Sequence, residues 1–193
     1  MGFDKHKKDI LEKTDKSKKG AVDERIKELC VLINQSNDYF TSSSCSGRVM
    51  LLKTSRNNKK NEAEWVFVAH EHAVPEDVKS ALDSYACNDV LMFKQESAIL
   101  HIGARTIEHA QKMIDIAKES GFKRSGIFST RKKIFVELIC AEGLSAPVFD
   151  GKKLVDDSYL EYLVSMANKK MDVSWNAIER LKKALSRDVS IIK

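Results

Sequence analysis

The chain has 193 residues, of which 42% are hydrophobic and 32% are charged, and its formal net charge is +5. It contains no apolar stretch near the roughly 20 residues that a membrane-spanning helix needs, and its polar, Lys-rich start lacks the apolar centre of a secretory signal. We therefore expect a cytoplasmic protein with no membrane span, folded as a single domain over residues 1–193.

Two helices are predicted before the first unusual motif. The basic segment 1–19 contains a charged helix over residues 9–19, and Gly20 breaks that helix. The second helix begins near Val22, and its apolar residues recur at helical spacing, so that one face is buried. Asp23 lies in the opening turn of this helix, where the helix dipole favours a carboxylate. This placement alone would explain an aspartate at position 23.

The most unusual stretch is the serine-rich run at residues 41–48, Thr-Ser-Ser-Ser-Cys-Ser-Gly-Arg. Short hydroxyl side chains compete for nearby backbone groups, so the run is predicted to be a polar loop. Such a loop would present amides, hydroxyls and the Arg48 guanidinium to carboxylate, phosphate or ribose oxygens. A serine-rich turn with no ligand is an equally good interpretation of the residues alone.

The middle of the chain alternates apolar, β-prone runs with amphipathic segments, which predicts an α/β fold. The polar insert 54–64 has no packing signal and is predicted to be a flexible hairpin loop. A loop that contains Pro147 leads to a long C-terminal helix over residues 156–187. The predicted strands cover residues 49–53, 65–70, 90–94, 98–105, 127–130 and 134–140, and the helices between them begin at Pro75 and Ile107.

The strand at residues 98–105 is a second candidate site. Side chains alternate across a strand, so His101, Gly103 and Arg105 share one face and the apolar residues between them share the other. A His and an Arg beside a Gly that admits a ligand or a neighbouring backbone would form the polar floor of a site. A structural histidine and a surface arginine explain the same pattern.

Several familiar chemical motifs are missing from the sequence. No G-x-G-x-x-G follows a strand, which argues against a dinucleotide fold, and no G-x-S-x-G marks a hydrolase. His70 and His72 lack the Cys or carboxylate cluster that would complete a metal site, so no metal is expected. The four cysteines form no C-x-x-C pair and are expected to be reduced; Cys30 and Cys140 lie in apolar segments, whereas Cys45 has polar neighbours.

Basic residues are concentrated in four clusters. A single cluster of this kind is most often a solvated face. Several clusters that converge in space would contact the phosphates of a nucleic acid, and the sequence leaves both interpretations open. The clusters lie within residues 1–19, 53–60, 123–133 and 169–187.

The serine-rich run and the motifs around it resemble the tRNA wybutosine-synthesizing protein 3 family. The pattern is Gly20-x-Val22-Asp23-Glu24 followed by Thr41-x-Ser43-Ser44-Cys45-x-Gly47-Arg48, and the resemblance extends from about residue 15 to residue 185. Further matches occur in the same order: Trp65 with His70, Ile99-Leu100-His101 with Arg105, Ser120-Gly121-Phe122 with Ser125-Gly126-Ile127, and Asn168-x-Lys170.

This resemblance implies an S-adenosylmethionine-dependent methyltransferase that acts on tRNA-Phe. Members of the family methylate N4 of a 4-demethylwyosine-type base beside the anticodon, and their α/β fold differs from that of the Rossmann-like methyltransferases. We therefore expect a mixed β-sheet flanked by helices, with a long C-terminal helix. The basic loops 54–64 and 123–133 are the candidates for contact with the tRNA.

The same resemblance implies a catalytic centre formed by the serine-rich run with an aspartate and a histidine. Asp23 is preferred to Asp15 for the aspartate, and His101 is preferred to His70 for the histidine. The resulting catalytic residues are Asp23, His101, Ser44 and Cys45. The resulting cofactor-binding residues are Thr41, Ser43, Gly47, Arg48, His70 and Arg105, with RNA as the alternative ligand of Arg48 or Arg105.

Two other functions are consistent with the residues alone. A non-catalytic RNA-binding module would use the serine-rich run only for phosphate contacts and would not bind S-adenosylmethionine without RNA. A cysteine-dependent enzyme would use Cys45 as its nucleophile, which requires a nearby base and a depressed thiol pKa. The oligomeric state is left open.

Overall fold

A computed structural model describes residues 2–12, 22–54, 64–140 and 143–188. Its contacts divide the chain into two compact units. Unit 1 comprises Met1–Ser46, Ala98–Ala141 and Val173–Lys193, and unit 2 comprises Gly47–Ser97 and Glu142–Asp172. The expectation of one domain over the whole chain stays a prediction.

Within the described ranges the chain forms five helices and eight strands. The helices are α1 (Phe3–Leu11), α2 (Glu24–Gln35), α3 (Pro75–Asp83), α4 (Ile107–Ser120) and α5 (Asp157–Arg187). The strands are β1 (Tyr39–Cys45), β2 (Arg48–Thr54), β3 (Glu64–Ala69), β4 (Val90–Glu96), β5 (Ile99–Ala104), β6 (Gly126–Ser129), β7 (Ile134–Ile139) and β8 (Leu144–Asp150).

Unit 1 contains an antiparallel sheet in the order β1-β5-β7-β6, together with α1, α2, α4 and the end of α5. The predicted alternation along β5 is confirmed, because Leu100 and Ile102 are fully buried and His101 is half-buried on the opposite face. Helices α2 and α4 supply apolar residues at helical spacing to the core. The buried residues of this unit include Ile26, Leu29, Ile33, Met113, Ala117, Val136, Leu138 and Leu181.

Helix α4 begins and ends where its sequence signals predict. Thr106 Oγ1 accepts a hydrogen bond from the backbone N–H of His109 at 3.3 Å, which caps the first turn. Gly121 ends the helix with φ = +110°, a conformation that favours glycine. The next backbone N–H, from Phe122, donates to Ala117 O at 2.8 Å, and the Phe122 side chain is fully buried.

Unit 2 contains a second antiparallel sheet, in the order β3-β2-β4-β8, with α3 and the first half of α5. Burial alternates along β4, so that Leu91, Phe93 and Gln95 face the interior. Pro75 occupies the first turn of α3, as predicted. The buried apolar residues of this unit include Val49, Leu51, Val78, Leu82, Val148, Leu160, Val164 and Met171.

The predicted α/β class with a long C-terminal helix is confirmed, and the antiparallel sheets differ from a parallel Rossmann sheet. Two predicted loops are wrong, because both are strands. The serine-rich run forms β1, since pairing with β5 outweighs the weak strand preference of serine. The stretch around Pro147 forms β8 at the edge of its sheet, where proline is tolerated.

The N-terminal helix was predicted too late in the chain. It covers Phe3–Leu11 instead of starting at Asp9. Residues 13–21, which include the alternative candidate Asp15, lie outside the described residues, as do residues 55–63 of the predicted hairpin loop. Among the described helices, none combines the length and the apolar character needed to span a membrane.

Candidate active site

The serine-rich run is an edge strand that contains one extra residue. In the pairing of β1 with β5, Phe40 is opposite Gly103 and Ser43 is opposite His101, and the register shifts just before Ser43. This bulge places Phe40 and Ser43 on the same face of the sheet, although they are three residues apart. The extra residue, Ser42, is exposed, and its Oγ donates to the carbonyl oxygen of His101 at 3.3 Å.

Ser43, His101 and Glu137 form a hydrogen-bonded chain on this face, which we call the Ser-His-Glu relay. Ser43 Oγ lies 2.9 Å from His101 Nδ1, and His101 Nε2 lies 2.9 Å from Glu137 Oε1. The sheet brings them together, because His101 on β5 is opposite Ser43 of β1 and Glu137 of β7. The His101 and Glu137 side chains are 31% and 37% exposed, so a substrate can reach them. A hydroxyl, an imidazole and a carboxylate in this order can take up a proton and stabilise the imidazolium that results.

Phe128 provides an exposed aromatic surface beside the relay. Its side chain is 56% exposed, and its ring centroid lies 5.1 Å from that of His101. Exposed aromatic rings serve as stacking platforms for unpaired nucleic-acid bases. Gly103 on the same face admits the Phe40 ring rather than a ligand, since a Cβ at Gly103 would lie 2.2 Å from Phe40 Cζ.

Asp23 anchors the turn after β1 instead of capping its own helix. It occupies the N-cap position of α2 but makes no side-chain capping hydrogen bond. Its Oδ2 accepts hydrogen bonds from the backbone N–H and the Oγ of Ser46, at 2.9 and 3.1 Å, and the residue is buried. The carboxylate also lies within 4.8 Å of the Cys45 sulfur. The acid that contacts His101 is Glu137, whereas Asp23 contacts Ser46.

Thr41 and Ser44 contact helix α2 instead of His101. Asn34 Oδ1 accepts a hydrogen bond from the backbone N–H of Thr41 at 2.7 Å, and Asn34 Nδ2 donates to Thr41 Oγ1 at 3.0 Å. Burial raises the pKa of the Cys30 thiol of α2, and the hydroxyls of Ser44 and Thr41 act in the opposite direction. The hydroxyl of the run that contacts the His101 ring is therefore that of Ser43, and the catalytic role of Ser44 stays a prediction.

Arg48 and Gly47 belong to unit 2. Arg48 Nε and Nη2 donate to Glu96 Oε2 at 2.8 and 2.7 Å, and the guanidinium lies 4.7 Å from the centre of the Trp65 ring. These contacts orient the guanidinium and leave further N–H groups on it that can bind an anion. Gly47 has φ = +106°, and a Cβ there would lie 3.1 Å from Met171 Sδ, so the backbone conformation requires a glycine.

Arg105 is bound by two carboxylates of unit 1. Its Nε donates to Asp38 Oδ1 at 2.8 Å, its Nη2 donates to Asp4 Oδ1 at 2.5 Å, and its guanidinium lies 4.5 Å from the centre of the Phe3 ring. A cofactor or phosphate at Arg105 would compete with these carboxylates. His70, the remaining predicted residue, follows the end of β3 in unit 2 and is half-buried.

Glu137 and Phe128 are site residues that the sequence analysis did not identify. Glu137 is the one carboxylate in the otherwise apolar strand β7, and a charge in such a strand needs a partner. That isolated charge is the signal that singles it out. Its partner depends on the pairing of β5 with β7, which spacing along the chain does not reveal.

Thiol reactivity provides a first test of the site. We expect iodoacetamide at neutral pH to modify Cys87 and to leave Cys30 and Cys140 unmodified in the folded protein, as measured by peptide mass spectrometry. Cys87 is exposed, whereas burial raises the pKa of the Cys30 and Cys140 thiols and so lowers their thiolate fraction. Rapid modification of Cys30 would contradict this prediction, and an unusually fast rate at Cys45 would favour a cysteine-dependent enzyme.

Comparisons with known proteins identify relatives over nearly the whole chain. A profile of the family described as methyltransferase TYW3 matches residues 5–187. The chain is 42% identical over 195 residues to the tRNA wybutosine-synthesizing protein 3 homolog of Xenopus laevis, which covers 96% of this chain and 77% of that protein.

A second relative and a solved structure also match nearly the whole chain. The Methanocaldococcus jannaschii protein named tRNA(Phe) 7-((3-amino-3-carboxypropyl)-4-demethylwyosine(37)-N(4))-methyltransferase is 33% identical over 194 residues, with 95% of this chain and 100% of that protein covered. The PH1069 protein from Pyrococcus horikoshii superposes with a TM-score of 0.88 at 33% identity, over 95% of this chain and 96% of that chain.

Proposed function

Since the chain belongs to the methyltransferase TYW3 family, we propose that it methylates N4 of a 4-demethylwyosine-type base beside the anticodon of tRNA-Phe. The chain is an enzyme of tRNA modification that transfers a methyl group. The observation that supports this reaction best is the Ser-His-Glu relay, with both hydrogen bonds at 2.9 Å and with the exposed Phe128 ring beside it.

We propose S-adenosylmethionine as the methyl donor. Arg48 fits the charged end of this donor, because its guanidinium keeps N–H groups that can bind a carboxylate. When bound, this donor supplies a methyl group on a cationic sulfur: the N–C bond forms, the C–S bond breaks, and sulfur keeps the electron pair. The chain's own residues must align the acceptor nitrogen with that methyl group, and alignment of this kind is worth about 7–11 kcal/mol.

The relay accounts for the proton that the acceptor nitrogen loses. Ser43 Oγ accepts this proton as it passes its own to His101 Nδ1, and His101 becomes an imidazolium. Glu137 accepts a hydrogen bond from His101 Nε2–H and stabilises the positive charge. The proton then leaves to water, since the His101 side chain is 31% exposed. Phe128 would stack against the target base and exclude water from one side of it.

The decisive experiment is a methyl-transfer assay on isolated tRNA. The protein is incubated with labelled S-adenosylmethionine and with tRNA-Phe from cells that lack the final modifications, and the nucleosides are analysed by mass spectrometry. We expect the mass gain of one methyl group on the tricyclic base. Fully modified tRNA-Phe is the control and should gain none. Unchanged mass of the hypomodified nucleoside, with both ligands bound, would refute the proposal.

Arg48 is proposed to bind the carboxylate of the methyl donor. We expect Arg48→Ala to abolish the binding of S-adenosylmethionine in titration calorimetry, with little change in Tm, because an ion pair as exposed as Arg48–Glu96 contributes at most about 1 kcal/mol. The matched variant Glu96→Gln removes the partner but keeps the guanidinium, and it should retain binding. Unchanged donor affinity in Arg48→Ala would reassign Arg48 to the RNA.

A further inference from the structure

Unit 1 contains a cavity of about 240 Å³ on the same face of its sheet as the relay. The first turn of α1 and the bend between β6 and β7 contribute to its lining. The aromatic part of the lining consists of Phe3, His6 and Phe40, whose rings contact one another with centroids 5.3 to 5.4 Å apart. The reaction described above does not use this cavity.

The lining of the cavity is strongly basic. The bend contributes Arg131, Lys132 and Lys133 to the lining, and the end of β5 contributes Arg105. Two carboxylates already neutralise Arg105, whereas Lys133 Nζ donates to a ring nitrogen, His6 Nδ1, at 2.7 Å. Arg131 and Lys132 are exposed, and neither forms an ion pair with another residue in the part of the chain that the structure describes. The bend therefore carries an excess of positive charge.

The size of the cavity restricts its ligand. Sites for drug-sized molecules have about 300–1,000 Å³, so a cavity of about 240 Å³ is too small for a whole nucleoside-based cofactor. Excess positive charge selects an anion, and a phosphate with its ribose matches both the charge and the volume. We propose that this cavity, which we call the phosphate cavity, binds a backbone phosphate of the RNA substrate. The proposal rests on the proposed function.

The position of the cavity agrees with such a role. Arg105 follows His101 by four residues along the direction of β5, so their Cα atoms are about 13 Å apart. Phe128, Phe135 and Phe40 form a row of rings on this face, with consecutive centroids 5.9 and 5.8 Å apart. A phosphate in the cavity would therefore belong to a nucleotide close in sequence to the base at His101, and the cavity would fix the register of the RNA strand.

The test removes Arg131 and Lys132, the two exposed cations of the bend. We expect the double variant Arg131→Ala, Lys132→Ala to weaken tRNA binding by about tenfold or more and to lower the slope of log Kd against log salt by about 1 to 2. The affinity for S-adenosylmethionine should not change. The matched control is Lys27→Ala, Lys118→Ala, which removes the same charge from exposed residues of unit 1 outside the cavity lining and outside the four basic clusters. It should weaken tRNA binding less than threefold.

A direct probe separates this proposal from the proposed function. Guanosine 5′-monophosphate should shift the backbone amide NMR signals of Thr130 and Lys133 in the wild-type protein, and guanosine should not. The shifts should disappear in the double variant at the bend. Equal loss of tRNA affinity in both double variants, or no shift with the nucleotide, would overturn the phosphate cavity. A failure of the methyl-transfer assay would instead overturn the proposed function, because neither binding measurement depends on it.

Discussion

We expect His101→Ala to lower kcat for methyl transfer by about 10²- to 10⁴-fold, the range that a positioned general base contributes. Without the imidazole, Ser43 cannot pass on the proton that the acceptor nitrogen loses, and no imidazolium forms for Glu137 to stabilise. The measurement is a single-turnover assay with labelled donor at saturating tRNA. Donor affinity and Tm should stay near the wild-type values, because His101 is only half-buried.

Substitutions of the other two residues of the relay should have smaller effects on kcat. Ser43→Ala and Glu137→Gln should each lower kcat, by less than His101→Ala does, since each leaves the imidazole in place. His72→Ala is a matched control, because His72 Nε2 pairs with Asp172 Oδ1 at 2.8 Å outside the relay, and its kcat should be close to that of the wild type. A wild-type kcat in His101→Ala would exclude the relay from catalysis.

The second large effect concerns stability. We expect Phe40→Ala to lower the free energy of unfolding by about 3–5 kcal/mol, which corresponds to a fall in Tm on the order of 10 °C. Phe40 is 1% exposed, its ring packs against Phe3 and Phe135, and it fills the space above Gly103. Urea unfolding followed by circular dichroism measures the change.

An exposed phenylalanine provides the control for Phe40. Phe128→Ala makes the same substitution on the same face of the sheet, but the Phe128 side chain is 56% exposed. Its free energy of unfolding should stay within about 0.5 kcal/mol of the wild-type value. An equal loss of stability in the two variants would show that burial against Gly103 is not what makes Phe40 important.

Local signals were sufficient for much of this fold. Helix α4 was predictable because a capping threonine precedes it and Gly121 follows it, and the two faces of β5 were predictable because its polar and apolar residues alternate. The burial of Cys30 and Cys140 followed from their apolar neighbours. In each case the residues that decide the structure lie within one element of the chain.

The errors arose where partners distant in sequence decide the structure. Serines have little preference for strands, so β1 exists because β5 pairs with it, 58 residues along the chain from Ser43 to His101. The contact of His101 with Glu137 depends on the register in which β5 pairs with β7. Asp23 was placed in the opening turn of a helix, and its hydrogen-bond partner Ser46, beyond the next strand, was not predicted.

The bulge in β1 also determines how the serine-rich run can vary in length. Neighbouring hydroxyls in the run resemble one another, so exchanging serine for threonine at one position changes the chemistry little. Deleting Ser42 would remove the bulge and leave Ser43 opposite His101, because Phe40 and Ser43 would then be two residues apart and alternation places such residues on one face. The run could therefore shorten by this one residue while the hydrogen-bonded chain from Ser43 to Glu137 stays intact.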